Sequence, residues 1–230
     1  MQAKLKEEIA NKNKEQIEFW DKRQLVKKIN LNSLYGALLN PGSRFFDMRI
    51  GQSTTLCGRS IVKHMASKVN EFIAGKYDHV GEGIIYGDTD SCYFSATIPW
   101  KEDINNGKIK WNKESVVEVY DAICEQVNDT FPEFMNKAFH TTRENGAIIK
   151  AGRELCGERG LFITKKRYGI LVYDEEGNRK DIDSDGKLKA MGLDLKRSDT
   201  PEFMQRFLED ILLSVLKGKQ EEEILQEITE

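Results

Sequence analysis

Two aspartates separated by a single residue, Asp88 and Asp90, stand in the string Tyr86-Gly87-Asp88-Thr89-Asp90-Ser91. In extended chain, residues two apart point to the same side, so both carboxylates can project from a hairpin tip. Carboxylates on a rigid turn are the oxygen donors that Mg²⁺ takes alongside substrate phosphates. An isolated Asp-x-Asp is also the ordinary form of an Asx turn, so the pair alone leaves both readings open. A second set, Lys28, Asn32, Tyr35 and Gly36, falls at i, i+4, i+7 and i+8, on one helical face. Lysine there is a compact cation suited to a triphosphate. Tyrosine offers a flat surface and a hydroxyl to a base pair, and Gly36 lets another group approach the helix closely.

The longer strings narrow the choice. Tyr86 to Ser91 resembles motif C of the family B DNA polymerases. Lys28-Ile-Asn-Leu-Asn32-Ser33-Leu34-Tyr35-Gly36 is similar to motif B of that family at every fixed position. Downstream, Arg153-Glu154 resembles the Arg-Glu of the palm strand. Lys165-Lys166-Arg167-Tyr168 resembles the family's duplex-contacting Lys-Lys-Arg-Tyr motif, and Met191-Gly192 through Arg197-Ser198-Asp199 the segment leading into the thumb. Asn32–Asn40, Lys68–Phe72 and Phe162–Asp174 are similar to the replicative polymerases of T-even-type bacteriophages.

The resemblance implies a DNA-directed DNA polymerase that transfers dNMP from dNTP to a primer 3′-OH. By it, Asp90 and Asp88 are catalytic metal ligands for Mg²⁺, and Glu154 acts in their outer shell. Lys28 contacts the triphosphate, and Asn32, Tyr35 and Gly36 face the incoming nucleotide. Lys165, Lys166, Arg167, Tyr168 and Arg197 hold primer-template DNA; basic and hydroxyl side chains alternating on a strand can reach phosphates and minor-groove acceptors. The family's motif A, Asp-x-x-Ser-Leu-Tyr-Pro, has no match; the one Ser-Leu-Tyr is at 33–35, inside motif B. Two-metal chemistry needs carboxylates on both sides of the metal pair. The expectation is therefore a C-terminal polymerase portion, inactive alone, whose motif A Asp comes from a missing segment or partner chain that also carries the exonuclease. A sliding clamp is a further implied partner. The rival reading is a non-catalytic DNA-binding or assembly module derived from a polymerase, which would have no need to keep Asp88, Asp90 and Lys28 together.

The elements that must position these residues read as follows. Residues 3–39 pattern as one long helix, stopped by Asn40-Pro41-Gly42. A second helix is expected from Ser53 to Ala74, ended by Gly75, and Gly83 to Ser95 reads as strand-turn-strand. Residues 113–139 return to helix, interrupted or kinked at Pro132. Ala147–Leu155 and Leu161–Asp174 pattern as strands, and Glu175-Glu-Gly-Asn as a turn before a third extended piece. Pro201 opens a helix to Leu216, and Gly218 separates it from an acidic helix over 219–230. The fold class expected is α+β: an antiparallel palm sheet with packed helices, a long N-terminal fingers helix and the start of a helical thumb. The corresponding domains are 1–40 fingers helix, 41–198 palm and 199–230 partial thumb.

Bulk properties agree without deciding. A chain of 230 residues can bury a sizeable core. Its net charge of −3 hides 13 Lys+Arg against 6 Asp+Glu in residues 1–68, leaving 22 against 32 elsewhere. The basic side suits phosphate or nucleic acid, although solvated helix faces would carry the same charge. The four cysteines include no CxxC pair, so reduced thiols and no zinc site are expected, with no signal peptide or membrane span and a cytoplasmic location. The string Asp181-Ile-Asp183-Ser-Asp185-Gly186 opens like a calcium loop, but position twelve is Gly192 rather than Glu. His64, His79 and His140 lack ligand spacing and read as surface or packing residues.

Overall fold

The computed structural model describes residues 2–182 and 184–229. Met1, Asp183 of the calcium-loop-like string, and Glu230 of the acidic terminal helix lie outside the described residues. The chain divides into two compact units, residues 1–60 and 61–230.

In the first unit the single helix expected over 3–39 is two, α1 (Gln2–Ala10) and α2 (Lys14–Leu39). The break falls where asparagine competes with the helical backbone. Lys12 takes the left-handed conformation (φ 54°), and the Asn13 side chain caps α2 by accepting the Gln16 amide. None of the side chains of α2 is buried; Leu25, Val26, Ile29, Leu31 and Leu34 are all exposed. Asn40 ends the helix, its side-chain oxygen accepting the Gly42 amide at 2.9 Å. The next helix, α3, runs Met48–Ala74 across the boundary between the units and starts five residues before the expected Ser53. Asp47 explains the earlier start, because its carboxylate accepts the Arg49 amide at 2.9 Å and satisfies a first-turn donor.

The second unit holds the sheets. β1 (Ile84–Asp88) and β2 (Ser91–Phe94) form the expected antiparallel hairpin. A short helix α4 (Lys101–Asn105) precedes α5 (Lys113–Phe139), which is opened by an Asn112–Ser115 capping box and continues through Pro132 without interruption. The C-terminal half of α3, α5 and the hairpin base share one core of Val69, Ile73, Ala96, Ile123, Val127 and Phe131. Burying a Val, Ile or Phe side chain of this kind contributes about 1.5–3 kcal/mol.

Residues 147–154 are not the strand that their pattern suggests. The one-turn helix α6 (Arg143–Gly146) leads into irregular chain, and β3 begins at Leu155. The Asn128 side chain takes the place of a neighbouring strand there, accepting the Ala151 amide at 2.6 Å and donating to its carbonyl at 2.9 Å. The expected strand 161–174 is instead a hairpin. β3 (Leu155–Thr164) turns at Lys165-Lys166 into β4 (Arg167–Glu175), with Lys166 left-handed at φ 61°. β5 (Asn178–Arg179) follows the predicted turn, and β6 (Lys187–Met191) pairs with the other edge of β4, so every pairing is antiparallel. Residues 168–174 of β4 are all buried.

Helix α7 (Glu202–Lys217) opens after Pro201 and ends at left-handed Gly218, and α8 (Glu221–Thr229) carries three glutamates in its first turn. That charge suits the positive end of the helix dipole. Leu212 and Leu216 of α7 pack with Leu171, Leu193 and Leu195. The mixed α+β class expected from the sequence is the one observed.

Candidate functional site

The carboxylate hairpin places Asp88 at the end of β1, opposite Ser91, and leaves Asp90 in the two-residue turn. Thr89 between them is left-handed (φ 51°), and the Asp90 amide donates to the Asp88 carbonyl at 2.6 Å. The two aspartates are therefore not successive same-side positions of a strand. The chain reverses between them, leaving Asp88 half-buried and Asp90 exposed. The Asp88 carboxylate accepts the Thr89 hydroxyl at 3.1 Å, while the Ser91 hydroxyl donates to the Asp88 carbonyl. Asn70, 1% exposed, holds the hairpin base: its oxygen accepts the Gly83 amide at 3.0 Å and its nitrogen donates to the Lys76 carbonyl.

The Lys165-Lys166 turn meets this hairpin. The Lys166 amide donates to the Tyr86 hydroxyl at 2.8 Å, and Lys166 Nζ lies 3.7 Å from the Asp88 carboxylate. Beneath them Tyr86, Tyr93, Phe162 and Tyr168 form one aromatic cluster, with ring centroids 5.4–5.8 Å apart. The Tyr93 and Tyr168 hydroxyls are 3.1 Å apart. Burial, reinforced by Tyr168, pushes the Tyr93 phenol above its ordinary range, and burial alone raises the Cys92 thiol to about 12.

Lys165 and Lys166 thus sit on a turn, not on a strand, and Arg167 is exposed at the start of β4. Tyr168 is only 4% exposed, with its hydroxyl toward Tyr93, so it supports the turn and offers no free hydroxyl at the surface. Tyr86 and Tyr168 belong to two of the motif strings, but neither string marks the rings as one packed cluster. Its one local signal is the cross-strand pairing of Tyr86 with Tyr93.

Glu154 is engaged by Lys189 of β6 at 2.7 Å. Its neighbour Arg153 keeps only 8% of its side chain exposed, donating to Asp174 and, at 2.7 Å from Nε, to Asp121. Arg197 forks onto Asp199 at 2.9 and 2.6 Å, and that guanidinium holds the Asp199 carboxyl at about 2. The calcium-loop-like string is otherwise occupied, since Asp181 accepts from Arg179 and Lys113.

In the first unit α2 carries Lys28, Asn32, Tyr35 and Gly36 on one face, as the spacing predicts. Lys28 and Asn32 are exposed, Tyr35 is half-buried, and a Cβ added at Gly36 would meet nothing within 4 Å. Among the described residues the side chains of Lys28, Asn32 and Tyr35 make no hydrogen bond or ion pair.

Asp88 and Asp90 fit Mg²⁺ in donor type, as hard carboxylate oxygens on a short turn. They do not fill a coordination shell. Among the described residues no group of three His, Cys, Asp or Glu side chains converges as a metal cage, so further oxygen donors would have to complete it. Among the described residues no helix is long and apolar enough to cross a membrane.

A family model described as DNA polymerase family B matches residues 1–131. The chain is 31% identical over 209 residues to the DNA-directed DNA polymerase of Escherichia phage RB69, covering 84% of this chain and 22% of that protein. It is 32% identical over 217 residues to the enzyme of the same name from Enterobacteria phage T4, covering 86% and 23%. DNA polymerase II of Escherichia coli is 26% identical over 208 residues, covering 87% and 22%. The chain therefore spans under a quarter of the length of these relatives. With more than half of its residues matched by the family model, and with its motif C hairpin and motif B helix both formed, the chain belongs to DNA polymerase family B.

Proposed function

We propose that this chain contributes the nucleotide-binding helix, the motif C carboxylates and the duplex-holding turn to template-directed DNA synthesis. In that reading residues 1–40 are part of the fingers, 41–198 the palm and 199–230 the start of the thumb. The observation that carries it is the meeting of the Asp88–Asp90 hairpin with the Lys165-Lys166 turn, Lys166 Nζ standing 3.7 Å from Asp88. A DNA-binding module has no use for carboxylates beside its duplex contact, whereas phosphoryl transfer does.

Mg²⁺, when bound, supplies charge stabilisation to the attacking and leaving oxygens of an in-line displacement. The chain's own residues do the rest. Asp90, exposed at the turn, is the first metal ligand, and Asp88 the second. Lys28 binds the triphosphate and offsets charge that develops on it. Asn32, Tyr35 and Gly36 form the surface against which the nascent pair lies. Lys165, Lys166, Arg167 and Arg197 contact duplex phosphates, with Tyr168 supporting the turn from below. Glu154, paired with Lys189, acts from outside the coordination shell. The third carboxylate is the motif A Asp of another segment or chain, which would also carry the exonuclease. A sliding clamp and a cytoplasmic location, in a bacterial host if the gene is a phage's, complete the proposal.

The test mixes this chain with a segment supplying motif A and follows primer extension on a primed template with dNTPs and Mg²⁺. Extension is expected only in the mixture, and Asp90→Ala should lower it by about 100- to 1,000-fold. Equal extension by both forms removes the catalytic assignment and leaves a DNA-binding module. Extension by the unmixed chain removes the need for a third carboxylate.

A further inference from the structure

We infer that Tyr86 is a positioning residue, whose hydroxyl couples the carboxylate hairpin to the lysine that touches the duplex. The inference rests on the proposed duplex contact of Lys166 and gives a role to the Tyr86 hydroxyl, which the motif C string contains without assigning it one.

Three observations converge on the turn. Lys166 is left-handed (φ 61°), a conformation that residues with a Cβ hold only where surroundings over-determine it. Its amide is held by the Tyr86 hydroxyl at 2.8 Å, across 80 residues of sequence. Its carbonyl is backed by Gly192, itself at φ 63°, where a Cβ would come within 2.0 Å of the Lys166 oxygen. One backbone unit is thus bonded to β1 on one side and closely approached by the residue after β6 on the other.

Tyr86 is also only two residues before Asp88 on β1, and its ring packs on Tyr93, Phe162 and Tyr168. Any shift of the hairpin tip is therefore transmitted to the turn through one rigid phenol. The ring supplies packing and the hydroxyl supplies the acceptor, so the two contributions separate cleanly in Tyr86→Phe. That variant keeps the ring cluster and removes only the bond to Lys166.

The experiment titrates the 230-residue chain against a fluorescent primer-template duplex by anisotropy over a range of salt. It compares the unaltered chain, Tyr86→Phe, Lys166→Ala and the double variant. Tyr86→Phe is expected to weaken duplex binding about three- to tenfold, as the loss of one net hydrogen bond would. It should also flatten the salt dependence toward that of Lys166→Ala, whose slope falls by about 0.9 for one lost phosphate contact. The double variant should bind no more weakly than Lys166→Ala, because both changes act through the same side chain. Faster exchange of the Lys166 amide, with an unchanged melting temperature, would mark the lost acceptor directly. Unchanged affinity of Tyr86→Phe beside a weakened Lys166→Ala overturns the inference and leaves the proposed function standing. An unaltered chain that fails to bind duplex, or Lys166→Ala that binds normally, overturns the duplex-contact reading and the inference with it.

Discussion

Replacing Arg153 by Met should cost the second unit several kcal/mol, and the structure fixes both the size and the control. Arg153 lies in the irregular chain before β3, with 8% of its side chain exposed, and Asp174 near the end of β4 has 4%. Nη1 donates to Asp174, while Nε and Nη2 reach Asp121 on α5 at 2.7 and 3.5 Å. Methionine fills similar volume but, among the described residues, leaves the buried Asp174 carboxylate with only the Gly177 amide, at 3.1 Å. Breaking a buried pair in this way typically costs about 3–5 kcal/mol. Asp121 is half-exposed, so its share is at most about 1 kcal/mol. For a unit of this size each kcal/mol lowers Tm by about 2–4 °C, so a fall of about 10 °C is expected in a thermal melt. Urea titration of Arg153→Met against the double variant Arg153→Met with Asp174→Asn isolates the cause. A neutral amide no longer strands a charge, so the second change should restore more than half of the loss. A single-variant loss below about 1 kcal/mol, or a double variant no more stable than the single, would refute the reasoning. The consequence for the site is direct, since Arg153 anchors the segment that presents Glu154.

Two further perturbations probe the same scaffold. Asn70→Leu leaves the buried Gly83 amide and the Lys76 carbonyl unpartnered at the hairpin base, and urea unfolding should show a loss of about 3 kcal/mol; a change under 1 kcal/mol would mean that water replaces the side chain. His64 is buried, bonded to the Tyr77 and Thr130 hydroxyls at 2.9 and 3.0 Å and stacked on Phe134, and burial, aided by Lys68 and opposed by Glu71, lowers its pKa to about 4. The unfolded chain takes up this proton first, so stability should be full above pH 6.5 and fall on the order of 3 kcal/mol as pH drops toward 4; an NMR titration of His64 centred above pH 6 would contradict this.

The elements that announce themselves by local chemistry were legible in the sequence. Asp-Thr-Asp flanked by Ile-Ile-Tyr and Cys-Tyr-Phe reads as a hairpin because apolar strands bracket a polar turn. The face of Lys28, Asn32, Tyr35 and Gly36 follows from helical spacing alone. The illegible parts are those in which a distant group replaces a local signal. Leu161–Asp174 has no Pro, Asn or Asp at its middle, so nothing nearby proposes a turn at Lys165-Lys166. At that turn the amide of the left-handed lysine is bonded to Tyr86, far away in sequence, and its carbonyl lies where only a glycine at 192 leaves room. The segment 147–154 has the apolar pattern of a strand, yet Asn128 takes the backbone pair that a strand would have used. Only the break after α1 had a local cue, the Asn11-Lys12-Asn13 run, and a pattern read on apolar spacing passes over it.

The contact between Lys166 and Asp88 invites an electrostatic explanation of why the two hairpins stay together, and the magnitudes argue against it. At 3.7 Å, with 61% of the lysine side chain exposed, the pair is worth no more than about 1 kcal/mol, and salt screens it. Aromatic pairs contribute about 0.5–1.5 kcal/mol each beyond their buried area, and the Tyr86, Tyr93, Phe162 and Tyr168 rings make several. The rings and the Tyr86 hydroxyl therefore set the geometry, and the charge rides on it. In the proposed reading, a lysine that is placed by its backbone and not by its ion pair keeps its ammonium free to leave Asp88 for a duplex phosphate without the turn coming apart. By the same reading Asp88 would turn its oxygens to a metal while the strand beneath it stays fixed.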